Sequence, residues 1–293
     1  MNLGARLLAV GLWLLGRLPL AWLQALGGWL GRRWYARDAY EARVARRNLA
    51  LCLPELDEAA RESLCREALQ ETGRSLLELA WIWFRPLSTV LGRLQVGDAA
   101  DALQQAGAQG RPLIVAAPHL GGWEVLNLWL CQQRPMAVLY RPPRQRWLEA
   151  LLNRARGRGG AEPVPATRAG VRRLVSLLRE GVCIGILPDQ QPKQGEGEFA
   201  PFFGVEALTM SLLPRLVERF DAMVVTAWAE RLPRGQGWRL HVRTAEPPLD
   251  GPGRLNAAVE ACARQALAQY QWTYRRFGVR PAGEVSPYAD LRD

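Results

Sequence analysis

The stretch LIVAAPHLGGWE, Leu113 to Glu124, determines how the middle of the chain folds and where its chemistry lies. Its first five residues form a continuous apolar run, which is typical of a strand buried on both faces of a parallel sheet. Pro118 and the glycine pair after His119 predict a turn, and the segment from Trp123 onward has the apolar spacing of a helix. His119 is one of only two histidines in the chain, and it lies between that buried strand and that helix.

Short apolar runs and helical segments alternate along the rest of the chain. Strands are predicted at Leu113–Ala117, Met136–Tyr140, Val182–Leu187, Ala222–Ala227 and Trp238–Arg243. Helices are predicted at Tyr40–Leu51, Asp57–Phe84, Trp123–Cys131, Gln145–Arg156, Arg168–Arg179, Ser211–Phe220 and about Arg254–Tyr270. This alternation indicates an α/β fold with a mixed, mostly parallel sheet flanked by helices.

The N-terminal segment is the most apolar part of the sequence. Residues 7–30 are mostly Leu, Ala, Gly and Trp, interrupted by Arg17 and Pro19 and followed by several arginines. We predict a membrane anchor over residues 1–35 and a single catalytic domain over residues 36–293. We favour a hydrophobic helix that lies on or partly in the inner face of a membrane, held by tryptophans; a helix that spans the bilayer and an ordinary buried helix are the alternatives.

Composition narrows the class of partner and of site. The chain has 293 residues and a formal net charge of +10, and Lys193 is its only lysine. Such a basic chain favours an anionic partner, namely a phosphorylated substrate, a membrane surface or a nucleic acid, although a coding bias toward arginine gives the same count. Five cysteines without a CxxC pattern, together with two distant histidines, disfavour both a disulfide framework and a metal site.

Polar residues follow three of the predicted strands. His119 follows the first, Arg141 follows the next, and Asp189 with Gln190 follows the third. Because ligands gather at the carboxyl ends of strands in open α/β sheets, we expect these groups to form one site.

His119 and Glu124 form a candidate general-base pair. If His119 lies on the loop bent by the glycine pair, Glu124 in the first helical turn can reach back and fix the imidazole tautomer. No serine or cysteine is adjacent in sequence, so the nucleophile would be a substrate hydroxyl, which indicates direct transfer of a group onto an alcohol. A structural histidine beside a favourably charged helix start is an equally weighted alternative.

Arginines supply the candidate contacts to anions. Arg141 could bind a phosphate or carboxylate or stabilise an oxyanion, and Asp189 could anchor Arg141 or hold the acceptor; an exposed arginine and an ordinary Pro-Asp turn are the alternatives. Arg144, Arg275 and Arg276 are candidate phosphate or membrane contacts, although the last two could instead complement a helix end.

Six ordered segments between Arg43 and Tyr288 resemble the late acyltransferases of lipid A biosynthesis, the lauroyl and myristoyl transferases. They are Arg47-Asn48-Leu49 with Pro54-Glu55-Leu56, the H-x4-E segment His119 to Glu124, Tyr140-Arg141-Pro142, Pro188-Asp189-Gln190, Phe199 to Val205, and Gln269-Tyr270-x-Trp272 with Arg275-Arg276-Phe277 and Arg280-Pro281. Tyr274, Gln191 and Met210 depart from residues that are frequent in the family at those places.

The resemblance implies a glycerolipid-acyltransferase-like fold and an enzyme on the cytoplasmic face of the bacterial inner membrane. It implies an acyl carrier protein thioester as donor and, as acceptor, the β-hydroxyl of an acyl chain on a lipid A precursor. His119 would deprotonate the hydroxyl and Glu124 would orient His119. Arg141, Asp189 and Gln190 would bind substrate or stabilise the oxyanion, and neither a metal nor a bound cofactor would be required. The basic segment from Gln145 to Arg158 is a candidate surface for the acidic carrier protein.

Two other functions are compatible with parts of the sequence. One is O- or N-acylation of a different membrane glycolipid, lysophospholipid or aminolipid, since the motif recognises a hydroxyl and a thioester rather than a sugar. The other is a basic, non-catalytic surface or nucleic-acid-binding protein. The apolar N-terminus and the His119–Glu124 motif disfavour it, so we expect no nucleic acid partner.

Overall fold

A seven-stranded sheet forms the centre of the protein in the computed structural model, which describes residues 3–143 and 146–291. Its strands are β1 (Leu94–Gln95), β2 (Leu113–Ala116), β3 (Met136–Tyr140), β4 (Glu162–Pro165), β5 (Cys183–Ile186), β8 (Met223–Arg231) and β9 (Trp238–Thr244). β6 (Gly197–Phe202) and β7 (Val205–Met210) pair as a separate antiparallel hairpin.

The order of the strands places three predicted strand ends side by side. The order is β1-β9-β8-β2-β5-β3-β4. The strands from β8 to β4 are parallel, whereas β9 runs antiparallel to β8 and β1 runs parallel to β9. The prediction of a mixed, mostly parallel sheet is confirmed. Because β5 lies between β2 and β3, the residues that follow these three strands meet at one edge.

Eleven helices are found in the described part of the chain. They are α1 (Leu3–Leu15), α2 (Leu20–Ala36), α3 (Tyr40–Cys52), α4 (Glu58–Phe84), α5 (Leu87–Leu91), α6 (Ala99–Ala108), α7 (Trp123–Gln133), α8 (Arg146–Gly157), α9 (Arg168–Arg179), α10 (Leu212–Phe220) and α11 (Pro252–Ala263). Asp57 caps α4 as its position predicts, because its side chain accepts a hydrogen bond from the backbone N–H of Ala60.

Both faces of the sheet are covered, which explains the continuous apolar run of β2. Leu113 and Val115 pack in the same core as Val125 of α7. The intervening Ile114 and Ala116 pack on the opposite face, in a core that contains side chains of α9, α10 and α11. Alternate residues of one strand therefore enter two different cores.

The N-terminal segment is a bent pair of helices rather than the single hydrophobic helix that the sequence suggested. The break falls at Arg17 to Pro19, where proline cannot continue a helix and Arg85 donates hydrogen bonds to the carbonyls of Arg17 and Leu18. No single helix in the described residues is both long and apolar enough to cross a bilayer. The pair Leu8–Leu15 and Leu20–Ala36, bent by 116°, meets both requirements jointly, by length and composition alone.

Helix α2 packs closely against α4. A side chain at Gly27 or Gly31 would collide with the backbone of α4 at Gly73 and Leu69, respectively. Glycine at both positions therefore lets the two helix backbones approach within the distance that side chains otherwise prevent. Leu20 and Leu23 of α2 join the core that contains β2.

The C-terminal segment, residues 264–291, is mostly irregular. The predicted last helix ends at Ala263 and not near Tyr270, and a short 3₁₀ turn over Leu267–Gln269 follows it. Buried side chains hold the segment in place: Asn48 of α3 donates to the carbonyls of Trp272 and Tyr274 over 2.6 and 2.8 Å. This packing brings the segment to the carboxyl ends of the central strands, beside His119.

Candidate active site

The loop that carries His119 is held from two sides by backbone contacts. The N–H groups of Gly121 and Gly122 donate to the carbonyls of Gln269 and Ala229, and the N–H of Gln271 donates to the carbonyl of His119. Gly121 has a φ of +58°, and a Cβ there would collide with the carbonyl oxygen of Ala229. The glycine is required because the loop lies directly on the end of β8.

A buried ion cluster lies beneath this loop. Arg231, at the end of β8, bonds Glu78 over 2.6 and 2.7 Å and Glu71 over 2.5 Å, and it also donates to the Gly121 carbonyl. Burial alone lowers the pKa of Arg231, but the two carboxylates outweigh it and raise the pKa, so the guanidinium stays charged. The cluster ties the His119 loop to α4.

Asp189 is the carboxylate that holds His119. One carboxylate oxygen accepts from His119 Nδ1 over 2.8 Å, and the other accepts from the His119 backbone N–H, also over 2.8 Å. Only 2% of the Asp189 side chain is exposed. Burial raises the pKa of Asp189, but electrostatic attraction by His119 and the two hydrogen bonds from it outweigh burial and lower the pKa. Asp189 is therefore a carboxylate at neutral pH, and it fixes the proton on Nδ1.

The second imidazole nitrogen is left as the acceptor. Gln190 Nε2 lies 3.2 Å from His119 Nε2 and 3.3 Å from Gln271 Oε1, so its amide can donate to both. Nε2 therefore carries the lone pair of the imidazole, as the reacting nitrogen of a general base must.

Glu124 is not hydrogen-bonded to His119 in the structure, whereas the H-x4-E spacing led us to expect that bond. Its carboxylate binds Arg156 of α8, with Oε1 2.6 Å from one terminal guanidinium nitrogen and 3.0 Å from Nε. Within the first turn of α7, Trp123 lies against the imidazole, with ring centres 5.4 Å apart, whereas the next residue, Glu124, faces α8. Burial alone lowers the pKa of Arg156, but Glu124 outweighs it and raises the pKa, so the two groups form an ion pair.

The other predicted anion contacts differ in their surroundings. Arg141 is exposed at the end of β3 and donates to the Gln191 carbonyl over 3.0 Å, not to Asp189. Arg275 is exposed, with its guanidinium 5.2 Å from the centre of the Tyr288 ring. Arg276 is buried and donates to the Leu208 carbonyl over 2.6 Å and to Thr209, whereas a phosphate or membrane contact was predicted there. Arg144 lies outside the described residues.

Two clefts meet at His119, and both are lined by His119 and Trp123. The first, which we call the arginine cleft, encloses about 220 Å³ and is also lined by Glu124, Arg141, Arg156 and Gln190. The second, which we call the α4 cleft, encloses about 250 Å³ between α4 and the C-terminal segment. Its wall includes Trp34, Thr72, Leu76, Leu79 and Gln271.

Chemically, the arrangement can serve as a general base toward a nucleophile that a substrate supplies. Among the described residues, no serine or cysteine is hydrogen-bonded to the imidazole, and no group of three metal-ligating side chains is found. A buried carboxylate, a fixed imidazole and an open cleft are the parts that transfer of a group onto a hydroxyl requires.

Comparison with known proteins identifies the group that is transferred. The sequence model of the family described as bacterial lipid A biosynthesis acyltransferase matches residues 2–278, and the chain belongs to this family. It is 31% identical over 290 residues to the lipid A biosynthesis palmitoleoyltransferase of Escherichia coli K12, covering 94% of this chain and 92% of that protein. It is 29% identical over 287 residues to the lauroyltransferase of the same pathway and organism, covering 94% and 92%, respectively. The myristoyltransferase is 26% identical over 253 residues, covering 82% of this chain and 76% of that protein. The protein is an acyltransferase of lipid A biosynthesis.

Sequence reasoning missed the partners of the predicted groups. Arg156 was placed only on a basic surface, and Gln271 and Arg231 were not given a role at the site. A signal existed for Gln271, since it lies inside the Gln269-Tyr270-x-Trp272 motif. No local signal identified Arg231, because its partners Glu71 and Glu78 are more than 150 residues away in sequence.

Proposed function

We propose that the enzyme transfers a fatty acyl chain from an acyl carrier protein thioester to the β-hydroxyl of an acyl chain on a lipid A precursor. The observation that carries this proposal is the His119–Asp189 pair, because its imidazole lines both clefts and Asp189 leaves Nε2 as the accepting nitrogen. Membership of the lipid A acyltransferase family gives the acceptor class. The accepting nitrogen is hydrogen-bonded to an amide, and no serine or cysteine of the described residues is bonded to it, which favours a hydroxyl of the substrate as nucleophile.

The reaction proceeds by base-assisted attack on the thioester. His119 Nε2 takes the proton of the hydroxyl, and the oxygen attacks the thioester carbonyl carbon to give a tetrahedral oxyanion. The oxyanion re-forms the carbonyl as the carbon–sulfur bond breaks, and the leaving thiolate takes the proton back from the imidazolium. Asp189 stabilises the imidazolium in between, since it is buried, charged and bonded to Nδ1.

Arginine side chains in the arginine cleft stabilise charge in this scheme. Arg141 and Arg156 both line it, and Glu124 holds Arg156 in its wall. Glu124 acts through Arg156 and not through His119, which changes the role that the H-x4-E motif suggested. The amide of Gln190 occupies the position that the reacting hydroxyl would take, since it donates to the same nitrogen that takes the proton.

The donor would be delivered by an acidic carrier protein. The chain carries a formal charge of +10, and Arg141 and Arg154 are exposed near the arginine cleft and on α8. Of the basic residues predicted for this surface, Arg158 instead donates to the carbonyls at the end of α4. The exposed arginines supply long-range attraction to an acidic partner.

The enzyme would act on the cytoplasmic face of the inner membrane, with α1 and α2 on or in the bilayer. The described part of these helices exposes Trp13, Trp22 and Trp29, the last two with 66% and 50% of their surface accessible. Arg17 lies 4.5 Å over the ring of Trp13, and Arg33 lies 5.7 Å over that of Trp29. Tryptophan and arginine together are typical of the boundary between lipid headgroups and acyl chains.

The test is acyl transfer by the purified full chain in detergent. Acyl carrier protein thioesters of several chain lengths are incubated with a phosphorylated, tetra-acylated lipid A precursor, for wild type and His119→Ala. We expect a product that is heavier by one acyl chain from wild type and none from His119→Ala of equal thermal stability. Transfer only to a lysophospholipid or an aminolipid would replace the lipid A acceptor, and equal activity of His119→Ala would overturn the mechanism.

A further inference from the structure

We infer that the two clefts bind the two substrates separately: the α4 cleft takes the hydroxylated acyl chain of the lipid acceptor, and the arginine cleft takes the acyl donor. This assignment rests on the proposed function and adds to it which wall of the site each substrate contacts. It gives residues of α4, far from the sequence motifs, a part in acceptor recognition.

The α4 cleft is bordered by α2, the helix that also carries exposed tryptophans of the N-terminal segment. Leu76 lines the cleft and is itself 50% exposed, and Trp34 of α2 lines the cleft too. Trp22 and Trp29 are exposed on the same helix α2, which packs along α4. We therefore place the lipid at this surface, with its hydroxylated acyl chain extending past Leu76 toward His119.

The wall of the α4 cleft suits a hydrocarbon chain. Its polar side chains on α4 are already occupied: Thr72 donates to the Ala68 carbonyl over 2.8 Å, and Ser75 accepts from Arg231 over 2.7 Å. The remaining α4 side chains in the wall are Leu76 and Leu79. Among the described residues that line the α4 cleft there is no arginine, lysine, aspartate or glutamate, in contrast to the arginine cleft.

The arginine cleft has the mixed character that an acyl thioester needs. Arg141 and Arg156 are cations for the polar arm and the developing oxyanion, while Val138, Leu187 and Met210 give an apolar wall for the acyl tail. Arg141 is exposed at this cleft, which opens it to a donor that arrives from water on an acidic protein.

The two clefts share His119 and Trp123 in their walls, so they meet at the base. Gln190 lines the arginine cleft, Gln271 lines the α4 cleft, and the bond between their amides closes the gap over His119 Nε2. A hydroxyl that enters from the α4 cleft can replace the Gln190 amide as donor to Nε2. It then faces the thioester carbonyl on the other side, so each substrate has its own entrance and the two meet at one atom.

Thr72→Leu tests the acceptor half of the assignment. The larger side chain fills part of the α4 cleft, and Thr89→Leu, at an exposed site in α5 that lines neither cleft, is the matched control. We expect Thr72→Leu to raise the KM for the lipid precursor about tenfold while the KM for the donor and the preferred donor chain length stay as in wild type. The control should match wild type in both constants.

Ala166→Leu tests the donor half. Ala166 lines the arginine cleft, and Ala108→Leu, at the exposed end of α6, is its control. We expect Ala166→Leu to reduce transfer of the longest accepted acyl chain about tenfold relative to a chain two carbons shorter, with no change in the KM for the lipid precursor.

The results separate this inference from the proposed function. The reverse pattern, in which Thr72→Leu changes donor chain length or Ala166→Leu raises the acceptor KM, overturns the assignment while transfer itself stands. Unchanged constants in both folded variants overturn it as well. If wild type transfers no acyl chain to the lipid A precursor, the proposed function has failed first.

Discussion

Asp189→Asn distinguishes the two carboxylates of the site most directly. The wild-type carboxylate accepts two hydrogen bonds from one residue, from His119 Nδ1 and from the His119 backbone N–H, both over 2.8 Å. An asparagine amide has one oxygen and can satisfy only one of these donors. If its oxygen takes the backbone N–H, its NH₂ group faces Nδ1, and the ring must carry its proton on Nε2, where it cannot act as a base.

The expected loss is large because both charge and tautomer change. A charged hydrogen bond contributes about 1.5–3 kcal/mol, which is about 10- to 100-fold in rate. Where the same substitution imposes the wrong tautomer on a catalytic histidine, the loss in kcat reaches about 10⁴. We therefore expect Asp189→Asn to lower kcat by about 10³- to 10⁴-fold with little change in either KM.

The assay compares Asp189→Asn with Glu124→Gln under saturating donor and acceptor. Glu124 is hydrogen-bonded to Arg156 and not to His119, so its substitution should lower kcat less than Asp189→Asn does and should also raise the KM of the acyl donor. Thermal unfolding of each variant shows that it is folded. A folded Glu124→Gln with a larger loss in kcat than Asp189→Asn would refute the assignment of Asp189 as the partner of the base.

Three further predictions concern stability and surfaces. Arg231→Met leaves Glu78 buried without its cation and should lower the free energy of unfolding by about 3–5 kcal/mol, measured by denaturant titration; a change under about 1 kcal/mol would contradict an ion-paired cluster. Burial raises the pKa of the Cys131 thiol to about 11, and the other four thiols are buried, so a thiol reagent at pH 7.5 should modify the native protein slowly and modify five thiols after unfolding. Replacing Trp22 and Trp29 with serine should weaken binding to vesicles that contain anionic lipid while leaving the unfolding temperature unchanged, and undiminished binding would exclude this face as the membrane contact.

Regular elements could be predicted where a single physical pattern dominates. Met136–Tyr140 and Arg168–Arg179 have the predicted bounds, because a short continuous apolar run indicates the strand and a helical apolar period indicates the amphipathic helix. Short strands were not predicted by the same reasoning. β4 contains two prolines at the edge of the sheet, and β1 has only two residues, so neither has the length or the composition that marks a strand.

The site could be predicted as a location but not as a set of contacts. The sequence places polar groups after β2, β3 and β5, and the structure brings these strand ends together. The order of the strands, which makes β5 the neighbour of β2, is not contained in local pattern. His119 and Asp189 are 70 residues apart, and Glu124 and Arg156 are 32 apart, so only the tertiary structure pairs them.

The H-x4-E spacing can be understood from the turn between its two ends. Gly121 must adopt a positive φ because the loop rests on β8, and the chain then enters α7 with Glu124 in its first turn. In this geometry the imidazole faces Asp189 and the Glu124 carboxylate faces α8, but the side chains of His119 and Glu124 both line the arginine cleft. In the proposed mechanism, the motif therefore places a base and an anchored cation around the same reacting centre, and the substrate connects the two instead of a hydrogen bond. On this basis a double variant of Asp189 and Glu124 should lose more activity than either single variant, because the two carboxylates act on different groups.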